Sequence, residues 1–200
     1  MFIRIKYIKN QPYAYKVRNR WTKKGTRQKT TGYLGRVYYL KPLESHNLLT
    51  FEDFLGIPST VDYIKKSSSR SIILDLIKYE LVKHGFKFKG NNRNILLYTK
   101  DKVETESESS KKTKVQIRAD VAQSILSISN NKKPIVLALN NDFLCNYTLR
   151  KLVRFKSFST GEECGKELAK VFIQAGVPPQ PNIFIDVFQK VYSKLGSYVK

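Results

Sequence analysis

The fold is decided by residues 2–40, which have the sequence FIRIKYIKNQPYAYKVRNRWTKKGTRQKTTGYLGRVYYL. At the start of this segment apolar and basic side chains alternate, so that Arg4 and Lys6 separate Ile3, Ile5 and Tyr7. A period of two is typical of a strand with one buried face. The pattern therefore predicts a first strand over residues 2–9.

A second strand is predicted over residues 13–21, because successive side chains of a strand point to opposite faces. One face would carry Tyr13, Tyr15, Val17 and Trp21, and the other would carry Lys16, Arg18 and Arg20. Residues 10–12 and 22–26 predict turns, and residues 27–40 predict a third strand bent at Gly32 and Gly35. We expect an antiparallel meander with an aromatic face packed on the rest of the protein and a basic face in solvent.

The charge of this segment indicates its partner. The chain carries 37 Lys and Arg against 16 Asp and Glu, a net charge of +21, and residues 1–43 contain no acid at all. A solvated face usually mixes charges of both signs. A basic face without acids therefore favours a polyanion, and phosphate groups of nucleic acid are the expected ligand.

The candidate phosphate contacts are thirteen basic residues of the N-terminal half. They are Arg4, Lys6, Lys16, Arg18, Arg20, Lys23, Lys24, Arg27, Lys29, Arg36, Lys87, Lys89 and Arg93.

A family resemblance supports DNA as the ligand. Residues 13–15 (Tyr-Ala-Tyr), a basic turn with Gly25, residues 27–29 (Arg-Gln-Lys) and residues 33–36 (Tyr-Leu-Gly-Arg) follow one another in this order. This order resembles the N-terminal β-hairpin region of DDE-type insertion-sequence transposases, over about the first 36 residues. The resemblance implies DNA contact. It does not imply strand transfer, because the expected nuclease domain with its three carboxylates has no counterpart here.

The middle of the chain predicts helices and a hairpin. Short helices are predicted at residues 51–55 and 61–66, and a longer helix at residues 71–84 that ends at Gly85. A hairpin is predicted from residues 86–89 and 94–99. A helix followed by a basic hairpin resembles the recognition helix and wing of winged-helix DNA-binding proteins, and it would make Lys87, Lys89 and Arg93 wing contacts.

Residues 101–114 are polar and without apolar period, so we expect a mobile loop there. The segment after it is predicted to form a C-terminal subdomain with a strand at residues 114–118, a helix at 119–128, a strand at 134–139 and a helix at 143–155. Two amphipathic helices that end at Gly176 and Gly196 predict a terminal helical hairpin. Residues 142–152 also resemble part of an uncharacterised archaeal family.

The sequence thus predicts an α+β fold in four consecutive parts. These are a basic β-meander (1–43), a helix plus hairpin (44–100), a mobile loop (101–114) and a C-terminal α/β subdomain that ends in a helical hairpin (115–200).

Catalytic chemistry is not predicted. Residues 161–167 (GEECGKE) depart from a phosphate-binding loop in glycine spacing and in having Glu167 where a hydroxyl residue should hold magnesium. The two histidines and two cysteines are too far apart for a metal site, so we expect no metal, no cofactor and no enzyme, although scattered carboxylates leave nuclease chemistry open.

Three functions remain at this stage. The first is a non-catalytic DNA-binding protein, the second is an RNA- or ribosome-associated protein, and the third is an adaptor that binds a protein partner or itself through the C-terminal helices. Exposed aromatic side chains on the basic face would favour RNA or single strands, whereas buried ones would favour duplex backbone. We expect a cytoplasmic protein without a membrane partner, because there are only two cysteines and no long apolar run.

Overall fold

The computed structural model describes residues 1–43, 49–89, 95–100, 115–120, 125–130 and 133–196. The fold is α+β, as predicted. Its strands are β1 (Phe2–Ile8), β2 (Gln11–Thr22), β3 (Gly25–Tyr39), β4 (Lys87–Lys89), β5 (Ile95–Lys100), β6 (Val115–Asp120), β7 (Ile125–Asn130), β8 (Lys133–Leu139) and β9 (Asp142–Leu144). Its helices are α1 (Phe51–Leu55), α2 (Thr60–Lys66), α3 (Ser69–Lys83), α4 (Asn146–Val153), α5 (Gly161–Gln174) and α6 (Pro181–Gly196).

The chain divides into two compact units, each formed by two separate stretches of sequence. This division differs from the four consecutive parts that the sequence predicts, because β3 pairs in parallel with β8, about one hundred residues later. The sheet unit comprises Met1–Leu40 and Lys87–Tyr147, and the helical unit comprises Lys41–Phe86 and Thr148–Lys200.

The sheet unit contains one mixed sheet with the strand order β1-β2-β3-β8-β7-β6-β5-β4, and β9 pairs with β8. The predicted N-terminal meander is confirmed, since β1, β2 and β3 are antiparallel neighbours. Its first turn is shorter than predicted. Lys9 and Asn10 alone connect the strands, both with φ in the left-handed region (50° and 58°), as expected for a two-residue hairpin turn.

The core of the sheet unit lies on one face of the meander. Ala14, Val37, Val136 and Cys145 are buried together, and Ile3, Ile5, Leu34, Tyr39, Ala138, Phe143 and Tyr147 pack against them. The sheet is closely packed at Gly35, where φ is 136° and a Cβ atom would lie 2.4 Å from the Pro134 carbonyl oxygen. A glycine at this position lets β3 meet the start of β8.

Two predictions for the C-terminal half are wrong. Residues 119–128 do not form a helix, because Asp120 ends β6 and Ile125 begins β7, and the two residues pair with each other. The spacing of the apolar residues there is compatible with a helix and with strands. Because β6 also pairs with β5 on its other edge, the strand conformation is favoured. Residues 143–155 do not form one helix either, since β9 continues to Leu144 before α4 begins.

The hairpin at β4 and β5 is confirmed, but β5 also pairs with β6, which pairs with β7. The winged-helix interpretation requires a free two-stranded wing next to its helix. Here α3 belongs to the helical unit, and the hairpin belongs to a larger antiparallel sheet of the other unit. Arg93 and the predicted loop 101–114 lie outside the described residues.

In the helical unit, α6 packs against α2, α3 and α5. The predicted amphipathic character of α5 is confirmed, since Cys164, Leu168 and Phe172 are buried on one stripe of the helix. The ammonium group of Lys190 on α6 donates to the carbonyl oxygens of Ile64 and of Lys65 (2.7 Å), the last turn of α2. A cation at a helix C-terminus satisfies carbonyl groups that have no partner within the helix.

Candidate nucleic-acid interface

Strands β2 and β3 continue beyond the rest of the sheet as a two-stranded ribbon, residues 18–29. The last pairing of β1 with β2 is between Phe2 and Val17, and the pairing of β3 with β8 begins only at Arg36. Within the ribbon, β2 and β3 pair without interruption from Arg18 and Lys29 to Thr22 and Gly25. Among the described strands, none other borders the ribbon, and residues 18–21, 23–24 and 26–29 are exposed.

Local geometry defines both ends of the ribbon. At the base, two register shifts between β2 and β3, at Ala14/Tyr15 and at Lys16/Val17, each give β3 one extra residue. Such bulges increase the twist of a strand pair and often occur where regular pairing ends. At the tip, Lys23 and Lys24 form the turn, which a hydrogen bond from Thr22 Oγ1 to the Gly25 carbonyl oxygen (2.7 Å) closes.

One face of the ribbon carries four cations in two directly opposed pairs. Arg18 lies opposite Lys29, and Arg20 lies opposite Arg27. We call these four residues the cation face. All four are exposed, and within the described part of the chain no salt bridge involves any of them. Side chains in such directly opposed pairs have Cβ atoms about 5 Å apart, so the like charges repel one another.

The opposite face of the meander contains a group of tyrosines. The ring centroid of Tyr33 lies 5.5 Å from that of Tyr15 and 6.3 Å from that of Tyr13. Burial, with smaller contributions from Tyr13, Tyr15 and Tyr38, raises the pKa of the Tyr33 hydroxyl. By the alternation along β2, Trp21 lies on this face as well. We call Tyr13, Tyr15, Tyr33 and Trp21 the aromatic face.

The predicted separation of an aromatic face from a basic face is wrong for β1. Arg4 pairs with Tyr15, and Lys6 pairs with Tyr13, so both cations lie on the aromatic face. The error comes from the turn. The expected three-residue turn would have placed Lys6 opposite Lys16, but the two-residue turn shifts the register by an odd number of residues and exchanges the faces of β1.

The aromatic side chains are also not packed as predicted. The core lies on the other face of β2, where Ala14 is buried, and Ile3 and Ile5 of β1 are partly buried against it. On the aromatic face, Tyr33 is 52% exposed and Trp21 is 81% exposed. The prediction missed this because alternation shows which residues share a face but does not show which face is covered.

The other predicted contact residues have different surroundings. Lys16 is half-buried on the core side, and its ammonium group lies 4.5 Å from the centroid of the Tyr147 ring. Arg36 is half-buried with its guanidinium 5.3 Å from the Tyr38 ring. Lys23 and Lys24 are exposed at the tip of the ribbon, and Lys87 and Lys89 belong to β4. The structure thus brings together the ribbon cations, with Lys16 next to them on the same face of β2 but half-buried, whereas Arg36 lies on the opposite face and β4 lies at the other end of the sheet.

Among the residues that the structure describes, no group of three His, Cys, Asp or Glu side chains is arranged to hold a metal ion. None of the described helices has the length and apolar character needed to cross a bilayer.

No family model, curated protein or solved structure matches this chain. The resemblance of the first 36 residues to transposases therefore stays a prediction, and the ribbon has to be interpreted from its own geometry.

Proposed function

We propose that the protein binds nucleic acid without catalysing a reaction on it, and that the ribbon contacts the phosphate backbone. The observation that carries this proposal is the cation face, with Arg18 opposite Lys29 and Arg20 opposite Arg27. Directly opposed like charges destabilise a strand pair. A solvated cationic face can also serve to discourage edge pairing, but two consecutive pairs of this kind, on a ribbon without acids, would be stabilised by an external polyanion that neutralises them.

The spacing of these cations suits a phosphate backbone. Residues 18 and 20 are two positions apart on one strand, which corresponds to about 6.6 Å along the strand. Along one DNA strand the phosphates advance by about 3.4 Å per nucleotide, so phosphates two nucleotides apart are separated by about 6.8 Å along the helix axis. Cations on adjacent strands of the ribbon are therefore placed to contact several phosphates at once, and Lys23 and Lys24 at the tip extend the contact.

The shape of the ribbon favours duplex DNA over duplex RNA. The major groove of B-form DNA, about 12 Å wide, admits a two-stranded β-ribbon. The major groove of A-form RNA is deep and too narrow for side chains to enter. Binding of RNA or of the ribosome through the same ribbon is the alternative function.

An adaptor function through the C-terminal helices has less support. The apolar stripes of α5 and α6, which include Leu168, Phe172, Ile183 and Val187, are buried. Because these side chains already pack in the protein, the same stripes are not free to bind a partner.

The test is a salt titration of binding to a short fluorescently labelled DNA duplex, followed by anisotropy. If the four residues of the cation face each neutralise one phosphate, a fourfold rise in salt weakens binding by about 150-fold. A labelled RNA duplex of the same sequence is expected to bind more weakly. A salt-independent affinity, or no affinity for either duplex, would overturn the proposal.

A further inference from the structure

The aromatic face is exposed at Tyr33 and Trp21, although Val17 on the same face of β2 is buried. The core of the sheet unit is on the other side of the meander, around Ala14 and Val37. Tyr33 nevertheless occupies a central position, directly opposite Tyr15, with half of its surface in solvent. Full burial of a large aromatic side chain stabilises a protein by about 2–3 kcal/mol, so this surface is more easily explained by a ligand than by folding.

Trp21 extends the aromatic face onto the ribbon. It is six residues from Tyr15 on the same strand, which corresponds to about 20 Å. It is the only tryptophan of the chain and is 81% exposed. Single exposed apolar residues are common, but here two exposed rings lie on one face of the same two strands.

Cations lie between and beside these rings. The ammonium group of Lys6 is 5.1 Å from the centroid of the Tyr15 ring, and Arg4 donates a hydrogen bond to the Gln28 side chain of the ribbon. Both cations are exposed, and the neighbouring strands contain no acid. Flat rings with interspersed cations are the features that proteins use to stack unpaired bases while holding the phosphates that connect them.

A regular duplex offers these rings no free base faces, because its bases are already stacked on one another. We therefore propose that the aromatic face is a second site, which binds single-stranded nucleic acid by stacking bases on Tyr33 and Trp21 with Arg4 and Lys6 on the phosphates. This inference deepens the proposed nucleic-acid function and rests on it. It assigns duplex and single strand to opposite faces of the ribbon.

Trp21 provides a direct test, because it is the only tryptophan of the chain and lies on the aromatic face. Unlabelled oligo-dT and oligo-U are titrated into the protein, and emission and acrylamide quenching are measured. Both strands are expected to change Trp21 emission and to protect it from acrylamide. A DNA duplex on the cation face leaves Trp21 accessible. Equal affinities for oligo-dT and oligo-U indicate stacking and phosphate contacts alone, whereas tighter binding of oligo-U than of both oligo-dT and oligo-dU adds recognition of the 2′-hydroxyl.

A substitution identifies the stacking ring. Tyr33→Leu keeps an apolar side chain but removes the flat surface, and it is expected to weaken binding of labelled oligo-dT by about 5- to 150-fold, the loss of one stacked base. Duplex binding is expected to stay unchanged. The matched control is Tyr7→Leu, since Tyr7 is an exposed tyrosine (61%) of the same meander on the opposite face.

The outcomes separate this inference from the proposed function. If single strands leave Trp21 emission unchanged while the duplex binds with salt dependence, the single-strand site is refuted and duplex binding stands. Equal protection of Trp21 by duplex and single strand refutes the assignment to opposite faces, and equal losses in Tyr33→Leu and Tyr7→Leu refute stacking on Tyr33. Absence of binding to any nucleic acid refutes both proposals.

Discussion

Replacement of Arg18 and Arg20 by alanine removes half of the cation face at once. Both side chains are exposed, so the free energy of unfolding is expected to change by no more than about 0.5 kcal/mol. With four phosphate contacts, the logarithm of the affinity for duplex DNA falls with the logarithm of salt concentration with a slope of about −3.6. With two contacts the slope becomes about −1.8. A fourfold rise in salt then weakens binding by about 12-fold instead of about 150-fold.

Anisotropy of a labelled duplex at several salt concentrations measures this slope, and thermal unfolding verifies that the variant is folded. The matched control is the double variant Arg150→Ala and Arg154→Ala, which also removes two positive charges, but from exposed positions outside the ribbon. A slope that stays at the wild-type value, or an equal change of slope in the control, would show that the ribbon does not contact phosphates. In the second case net charge alone would account for binding.

Three other substitutions test the interpretation of the sheet and the helical unit. Arg27→Glu places a carboxylate opposite Arg20, so the free energy of unfolding measured in urea should rise by about 0.5 kcal/mol while the affinity for duplex DNA falls. An unchanged affinity would contradict the proposed interface. Gly35→Ala should lower the free energy of unfolding by about 2–4 kcal/mol, because its Cβ atom would collide with the backbone of β8 and its φ is strained for alanine. Gly32→Ala has open space around the new Cβ atom and should change the free energy of unfolding by less than about 1 kcal/mol. Equal effects of the two substitutions would contradict this packing. Burial, aided by a hydrogen bond to Asp75, raises the pKa of the Tyr63 hydroxyl, so the folded state holds this proton more tightly than the unfolded chain does. The free energy of unfolding should therefore fall as the pH rises above about 10. Urea unfolding measured at alkaline pH should show a smaller fall for Tyr63→Phe than for the wild type.

Local patterns were sufficient for most individual elements. The alternation in residues 2–40 predicted three antiparallel strands, and the burial of Cys164, Leu168 and Phe172 confirms the stripe of α5. Each of these predictions depends on neighbours in the sequence. The bounds of α1 were predicted correctly at residues 51–55, where Thr50 forms a capping box with Asp53.

Non-local pairing was not predictable in the same way. The parallel pairing of Val37 with Val136 joins two distant segments into one unit, and no local pattern indicates it. The same holds for residues 119–128. Their apolar spacing is compatible with a helix, and only the neighbouring strand β5 decides for a hairpin.

The candidate site was predicted in composition but not in arrangement. The sequence predicted Arg18, Arg20, Arg27 and Lys29 as contacts, and the structure places all four on one face. The sequence-based prediction placed Arg4 on the same face as these four residues, because it assumed a three-residue first turn. A difference between two and three residues in that turn decides which cations share a face, and turn length is the least certain feature of a hairpin whose turn lacks an Asn-Gly pair.

On the cation face, stability of the free protein favours removal of positive charges, whereas binding of phosphates favours keeping them. A ribbon without a third strand is only marginally stable, and the repulsion between Arg20 and Arg27 weakens it further. In the proposed complex bound phosphates would remove this repulsion, so that binding would also stabilise the ribbon. Substitutions that replace these cations should therefore stabilise the free protein and weaken the complex. A residue needed only for solubility would show no such opposition, and the sign of both effects measured in one variant distinguishes the two roles.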